Sequence, residues 1–172
     1  DYALLDIANN HVISTHKLDY NVICTSYHDN KPLLFDDRGR MHLFSGFDKV
    51  MTTKIPVSGR VTAFASDKHE RLSAYGMADG TIWLIGRNGK AQKLVGHFSQ
   101  ITKIKFHGRR LYSSSYDGQL LFWMTDELQI RPITLFQSDN WLTDFTFDTK
   151  KDFIWTGDKM GVITEYLISI PK

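Results

Sequence analysis

A single cysteine, Cys24, is present in the 172 residues, so no internal disulfide can form. That excludes the disulfide-stapled secreted scaffolds and makes a reducing cytoplasm the expected compartment. No apolar run approaches the roughly 20 residues of a membrane-spanning helix, and the opening DYALLDIANN has neither a basic n-region nor an apolar h-region. Excess charge is scarce as well. With a net charge of +2 and neither a basic run nor a basic amphipathic helix, nucleic acid and membrane are both expected to be absent from the partners. The chain also lacks an initiator methionine, so a mature product or, by preference, a piece cut from something longer is expected.

The residues of catalysis are equally thin. His11, His16, His28, His42, His69, His97 and His107 show no metal-ligand spacing such as HExxH, and no second cysteine joins them. There is no G-x-S-x-G, phosphate-cradling glycine loop or dinucleotide fingerprint. No metal and no cofactor is expected, and the chain reads as a non-enzyme. Cys24 lies in a strand pattern and reads as a small buried hydrophobe. The pair Asp36-Asp37 reads as a solvated turn with backbone caps.

What the chain does have is repetition. It is 42% hydrophobic and 13% aromatic, a balance that favours strands over disorder. Turn glycines Gly39, Gly80, Gly118 and Gly161 are 41, 38 and 43 residues apart. The residues that close the strand after each turn, Phe44, Ile85, Trp123 and Tyr166, follow the same spacings, and Leu5 precedes Phe44 by 39. Each period holds four strand candidates, marked by alternation or short apolar runs between turn residues. The first strands are 22–27, 61–65, 101–106 and 142–147; the second are 32–36, 71–76, 111–115 and 153–157. The third strands are 40–44, 81–85, 119–123 and 162–167, and the weaker fourth are 50–54, 92–95 and 133–136. A third-and-fourth pair, 2–7 and 12–15, precedes them. No segment carries a competing helical period, so the expected fold class is all-β.

Four-stranded antiparallel units repeating at about 40 residues indicate β-propeller blades. The expected division is a partial blade at 1–15 and repeats at about 16–55, 56–95, 96–138 and 139–172. The third of these repeats holds Gly96-His97, Ser113, Asp117-Gly118 and Trp123, and it resembles a WD repeat. The resemblance implies a buried hydrogen-bonded set of His97, Ser113, Asp117 and Trp123. The other units depart from it: Tyr75 and Ile85, then Thr156, Met160 and Tyr166, then Leu34, Arg38 and Phe44 stand at corresponding places. The tail NWLTDFTFDTKKDFIWTGDKMGVITEYLIS resembles the last blades of WD-repeat arrays on bacterial STAND-type signalling NTPases, which implies a sensor or protein-interaction array within a larger signalling protein.

About four blades suit half of a seven- or eight-bladed ring, completed by the remaining blades of the parent chain or by a second copy in a homodimer. A compact four-bladed ring, with 12–15 as the outer strand of the last unit, is the alternative. Propeller architecture places the start of each first strand and the residue before each turn Asp on one rim. That rim assembles Arg60, Gln100, Thr102, Tyr116, Trp141, Thr143 and Lys159 as candidate partner-binding residues, beside Asn21, Ile23, Asp37, Thr62 and Ala78. Trp, Tyr and Arg dominate binding energy at interfaces, which favours Trp141, Tyr116 and Arg60. Core packing of Trp141 is the competing expectation. The competing function is an enzymatic or glycan-binding propeller with a central-channel site.

Overall fold

The computed structural model describes residues 2–6, 9–16, 18–28, 31–45, 50–67, 69–107, 110–126, 129–148 and 153–167. These form seventeen strands and, among the described residues, no helix. The chain divides into two compact units, Asp1–Ser58 and Gly59–Lys172.

In the first unit, β1 (Tyr2–Asp6) pairs with β2 (His11–His16), and β3 (Val22–His28), β4 (Lys31–Asp36), β5 (Arg40–Phe44) and β6 (Val50–Lys54) form a four-stranded meander. The second unit contains two more meanders. The third sheet is β7 (Val61–Asp67), β8 (Leu72–Met77), β9 (Ile82–Ile85) and β10 (Ala91–Leu94); the fourth is β11 (Ile101–His107), β12 (Arg110–Ser115), β13 (Gln119–Met124) and β14 (Pro132–Gln137). The fifth sheet has three strands, β15 (Leu142–Asp148), β16 (Phe153–Asp158) and β17 (Ile163–Leu167). All pairings are antiparallel, as tight turns between consecutive strands require.

The fourth sheet is buried on both faces. Toward the third sheet, Leu111, Leu121 and Trp123 pack with Ala63, Ala74, Ile82 and Leu84. Toward the fifth, Tyr112, Leu120 and Phe122 pack with Leu142, Phe145 and Ile154. Each large side chain so buried contributes roughly 1.5–3 kcal/mol. Such face-to-face stacking explains the alternation and the apolar runs in one cause: a blade between two others has no solvent face.

Three strand starts and one strand end differ from expectation for local reasons. Arg71, expected in a strand, has φ +53°, a left-handed turn conformation, and β8 begins at Leu72. β10 ends at Leu94, leaving Val95 exposed outside it. β9 and β17 begin one residue late, because Thr81 and Val162 belong to the turns that precede them. Ile7 lies outside the described residues. Residues 12–15, offered as an outer strand for the last sheet, lie in β2 and pair with β1. Cys24 is half-buried rather than buried.

Candidate functional site

Each turn between the second and third strands of a sheet is closed the same way. The glycine N–H donates to the carbonyl three residues back, at 3.4, 3.2, 3.1 and 3.1 Å for Gly39, Gly80, Gly118 and Gly161. All four glycines have φ between +73° and +86°, where a side chain is disfavoured. At Gly118 a Cβ would also collide with the Ser138 carbonyl, whereas at Gly161 it would meet nothing within 4 Å.

Around the Gly118 turn the four polar residues meet. Trp123 Nε1 donates to Ser113 Oγ at 2.9 Å, His97 Nε2 lies 2.8 Å from the same oxygen, and His97 Nδ1 lies 2.9 Å from Asp117 Oδ2. Ser113 and Trp123 are at most 1% exposed. One proton arrangement satisfies every group: indole N–H to serine oxygen, serine O–H to Nε2, and Nδ1–H to the carboxylate. Asp117 also accepts from the backbone N–H groups of Phe98 and Gln119, both at 2.9 Å. Burial alone raises the Asp117 pKa, but these donors outweigh it and hold the carboxyl below its usual range. Because Ser113 is sealed from solvent, the Ser–His–Asp trio is a clamp within the blade and not a nucleophile.

The other turns keep a carboxylate by two different routes. Asp79 occupies the same place as Asp117 and takes Thr81 N–H and O–H. In the remaining turns it has moved two residues earlier: Asp36 Oδ1 accepts from Arg38 and Arg40 N–H, and Asp158 Oδ1 from Met160 and Val162 N–H. Asp36 is therefore not the solvated turn residue expected from the sequence. It is 2% exposed, and its Oδ2 takes Arg40 Nε at 2.7 Å and His42 Nε2 at 3.0 Å. Desolvation acts to raise its pKa, but four donors bring it down from 3.8 to about 2. His42 Nδ1 reaches Thr52 Oγ1 at 2.9 Å across β5–β6, and its ring stacks on Tyr20. This second clamp, Asp36–His42–Thr52, is hidden in the sequence because Arg38 occupies the place that corresponds to Asp117. The signal was an Asp three residues before a turn glycine, shared by Asp36 and Asp158.

The rim candidates sit on a recurring backbone tie. The turn N–H groups of Asp37, Ala78, Tyr116 and Lys159 donate to the carbonyls of Asn21, Arg60, Gln100 and Trp141, at 2.9–3.0 Å. Just beyond each tie the first strand bulges, with register shifts at Val22/Cys24, Val61/Ala63, Ile101/Lys103 and Leu142/Asp144. A bulge re-aims one side chain. The bulged residues include Thr62, Thr102 and Thr143, whose hydroxyls bond Gly76 O, Ser114 Oγ and Gly157 O on the adjacent strand. Thr62 also donates to Ile101 O of the next sheet at 2.7 Å. Thr102 and Thr143 thus lock bulges with the hydroxyls they would otherwise offer.

Three candidates converge. Trp141 is 48% exposed, so it is not core; its ring stacks on Tyr116 at 4.8 Å between centroids, and Lys159 Nζ lies 4.0 Å from its centroid. Arg60 is exposed on the third sheet and Gln100 is half-buried beside Tyr116. Two further large apolar residues on the loops and turns at this end of the sheets were not singled out in the sequence, Phe98 (82% exposed) and Met160 (69%).

Antiparallel sheets of three and four strands, sharing one turn and one bulge and stacked face to face in the second unit, define β-propeller blades. Known structures agree. The chain is similar to the WD40 β-propeller domain of Doa1, with a TM-score of 0.70, 17% identity, and coverage of 88% of this chain and 53% of that one. It is also similar to the computationally designed Ika4 protein, with a TM-score of 0.69, 18% identity, and coverage of 91% and 96%. No family model and no curated protein matches it. At these identities the likeness establishes the fold and leaves the activity open.

Proposed function

We propose that this chain is a non-catalytic protein-interaction module, which captures a protein partner on the face bearing Tyr116, Trp141 and Lys159. The observation that carries the reading is the half-exposed Trp141, held by the stacked Tyr116 ring and by the Lys159 ammonium over its own ring. A large aromatic side chain fixed in place and open to solvent loses little entropy on binding. Phe98, Met160 and Arg60 extend the surface.

Within this reading, the array serves as the sensor or scaffold part of a cytoplasmic bacterial signalling protein, in keeping with the resemblance of its tail. The ring is completed by the remaining blades of the parent chain or by a second copy. Among the described residues no helix is long and apolar enough to cross a membrane, and no three His, Cys, Asp or Glu residues gather as a metal site.

The substitutions Trp141→Ala and Arg60→Glu test the reading in the full-length parent. Both are expected to abolish partner capture, with the circular dichroism spectrum and Tm unchanged. Retention of every partner by both variants would show that the assigned face is wrong.

A further inference from the structure

The third and fourth sheets turn the same face toward the next sheet with different chemistry. In the third, Ala65 stands opposite Ala74 and Asp67 opposite Leu72, and Ala65, Leu72 and Ala74 pack into the core shared with the fourth sheet. In the fourth, Lys105 stands opposite Tyr112 and His107 opposite Arg110. Residues two apart on a strand share a face, so all four side chains lie on the side that carries Tyr112 and Phe122 toward the fifth sheet. Aromatic rings gather them. Lys105 Nζ lies 5.4 Å from the Phe147 centroid, and the His107 ring stacks on Phe147 at 5.2 Å. Arg110 Cζ lies 5.8 Å from the Phe122 centroid, and Tyr112 contacts the Phe147 and Phe122 rings at 4.7 and 5.4 Å.

Lys105, His107 and Arg110 are half-buried. Two residues earlier on β11, Lys103 is paired with Asp144, but among the described residues no carboxylate pairs with Lys105 or Arg110, Asp148 at the same end of β15 included. The Tyr112 hydroxyl, beside the Arg110 guanidinium, is buried without a well-formed hydrogen bond. A ring face attracts a cation but leaves its N–H donors without an oxygen, and charge withdrawn from water calls for a counter-charge. We propose that this cluster binds a dianionic oxyanion of the phosphate class, held by the Arg110 guanidinium, the Lys105 ammonium and a ring N–H of His107. Charge sets the class: two permanent cations without carboxylates match two negative charges, and a carboxylate ligand would leave one of them unmatched. Shape agrees, because the planar guanidinium offers paired donors to two oxygens and the ammonium reaches a third. The cluster lies at the opposite end of the strands from Trp141, so its occupancy does not depend on the function proposed above.

Calorimetric titration of the protein with inorganic phosphate, at constant ionic strength set by chloride, is expected to show a site that Arg110→Gln and Lys105→Gln each weaken at least tenfold. Arg110→Lys, which keeps the charge and loses the fork, is expected to fall between. Lys90→Gln removes the same charge from an exposed turn of the third sheet and is expected to leave the affinity within twofold. Circular dichroism checks the fold of each variant. In the unsubstituted protein, phosphate should shift the amide resonances of 105–107 and 110–112 and leave those of 65–67 and 72–74 in place, with acetate binding at least tenfold more weakly. Glycerol phosphate binding more tightly than inorganic phosphate would support the site and assign it to small phosphate esters; the reverse order would support it and assign it to the free ion. Unmoved resonances at 105–107 and 110–112, an equal loss from Lys90→Gln, or equal affinity for acetate and phosphate would overturn the proposal.

Discussion

The clamp residues show how a fold can tolerate loss of a motif while keeping its chemistry. A tight turn leaves backbone N–H groups to be satisfied, and a carboxylate does so from either of two positions, as Asp117 and Asp36 show. His97, Ser113, Asp117 and Trp123 were legible because the repeat that holds them resembles a WD repeat, and the resemblance implies the set. Asp36 and His42 were not, because their partner Thr52 comes from an outer strand and the carboxylate sits two residues early. Ser113→Ala leaves His97 Nε2 and Trp123 Nε1 buried without partners, and at ~1–3 kcal/mol for each such group urea denaturation should register a loss of roughly 2–6 kcal/mol. Asp36 has a depressed folded pKa. Its stabilisation is thus fully present above the ordinary value of 3.8 and lost as pH falls toward about 2. The shift corresponds to on the order of 2 kcal/mol, so stability should decline between about pH 4 and pH 2, and Asp36→Asn should flatten that decline. Tyr112 offers the opposite case. Its hydroxyl is buried with no well-formed hydrogen bond among the described residues, and burial pushes its pKa up against the opposing pull of the nearby Arg110 guanidinium. Tyr112→Phe should leave Tm unchanged or raise it, since no bond is lost.

At the scale of the element, strand order and number follow from the period, and the ends of strands follow from turn geometry that composition hides. Arg71 and Val162 are residues of strand-compatible pattern that the turns claim. The bulge at the start of each first strand was not legible at all, because a single unpaired residue leaves the apolar pattern on either side intact. It matters for the rim, since it turns Thr102 and Thr143 back onto their own sheets and Thr62 toward the next one. The turn glycines separate two costs that sequence cannot. Gly161→Ala meets only the backbone penalty of positive φ, about 1–2 kcal/mol. Gly118→Ala adds collision with the backbone of the following loop. Thermal denaturation should therefore rank Gly118→Ala as clearly the more damaging of the two.

At the scale of the molecule, the likeness to the Doa1 and Ika4 structures is one of architecture. The fold recurs in 847 solved chains, too many to single out one partner. Function must then be read from what the blades present, and the aromatic pair with its lysine is the part of the candidate rim that converges. The sequence marked all three of these residues by their place in the repeat. It did not mark Phe98 or Met160 as rim residues: Phe98 has no counterpart in the repeat, Met160 stands where the turn Asp is expected, and both stand out by exposure.

The most direct measurement is a photo-cross-linking map in cells that make the full-length protein. A benzophenone side chain is placed in turn at positions 98, 141 and 160, and at 69 and 90, in turns at the opposite ends of the strands. A partner on the Trp141 face should give one discrete protein adduct from 98, 141 and 160 and none from 69 and 90. The same adduct from 69 and 90 alone, or equal adducts from all five positions, would contradict it.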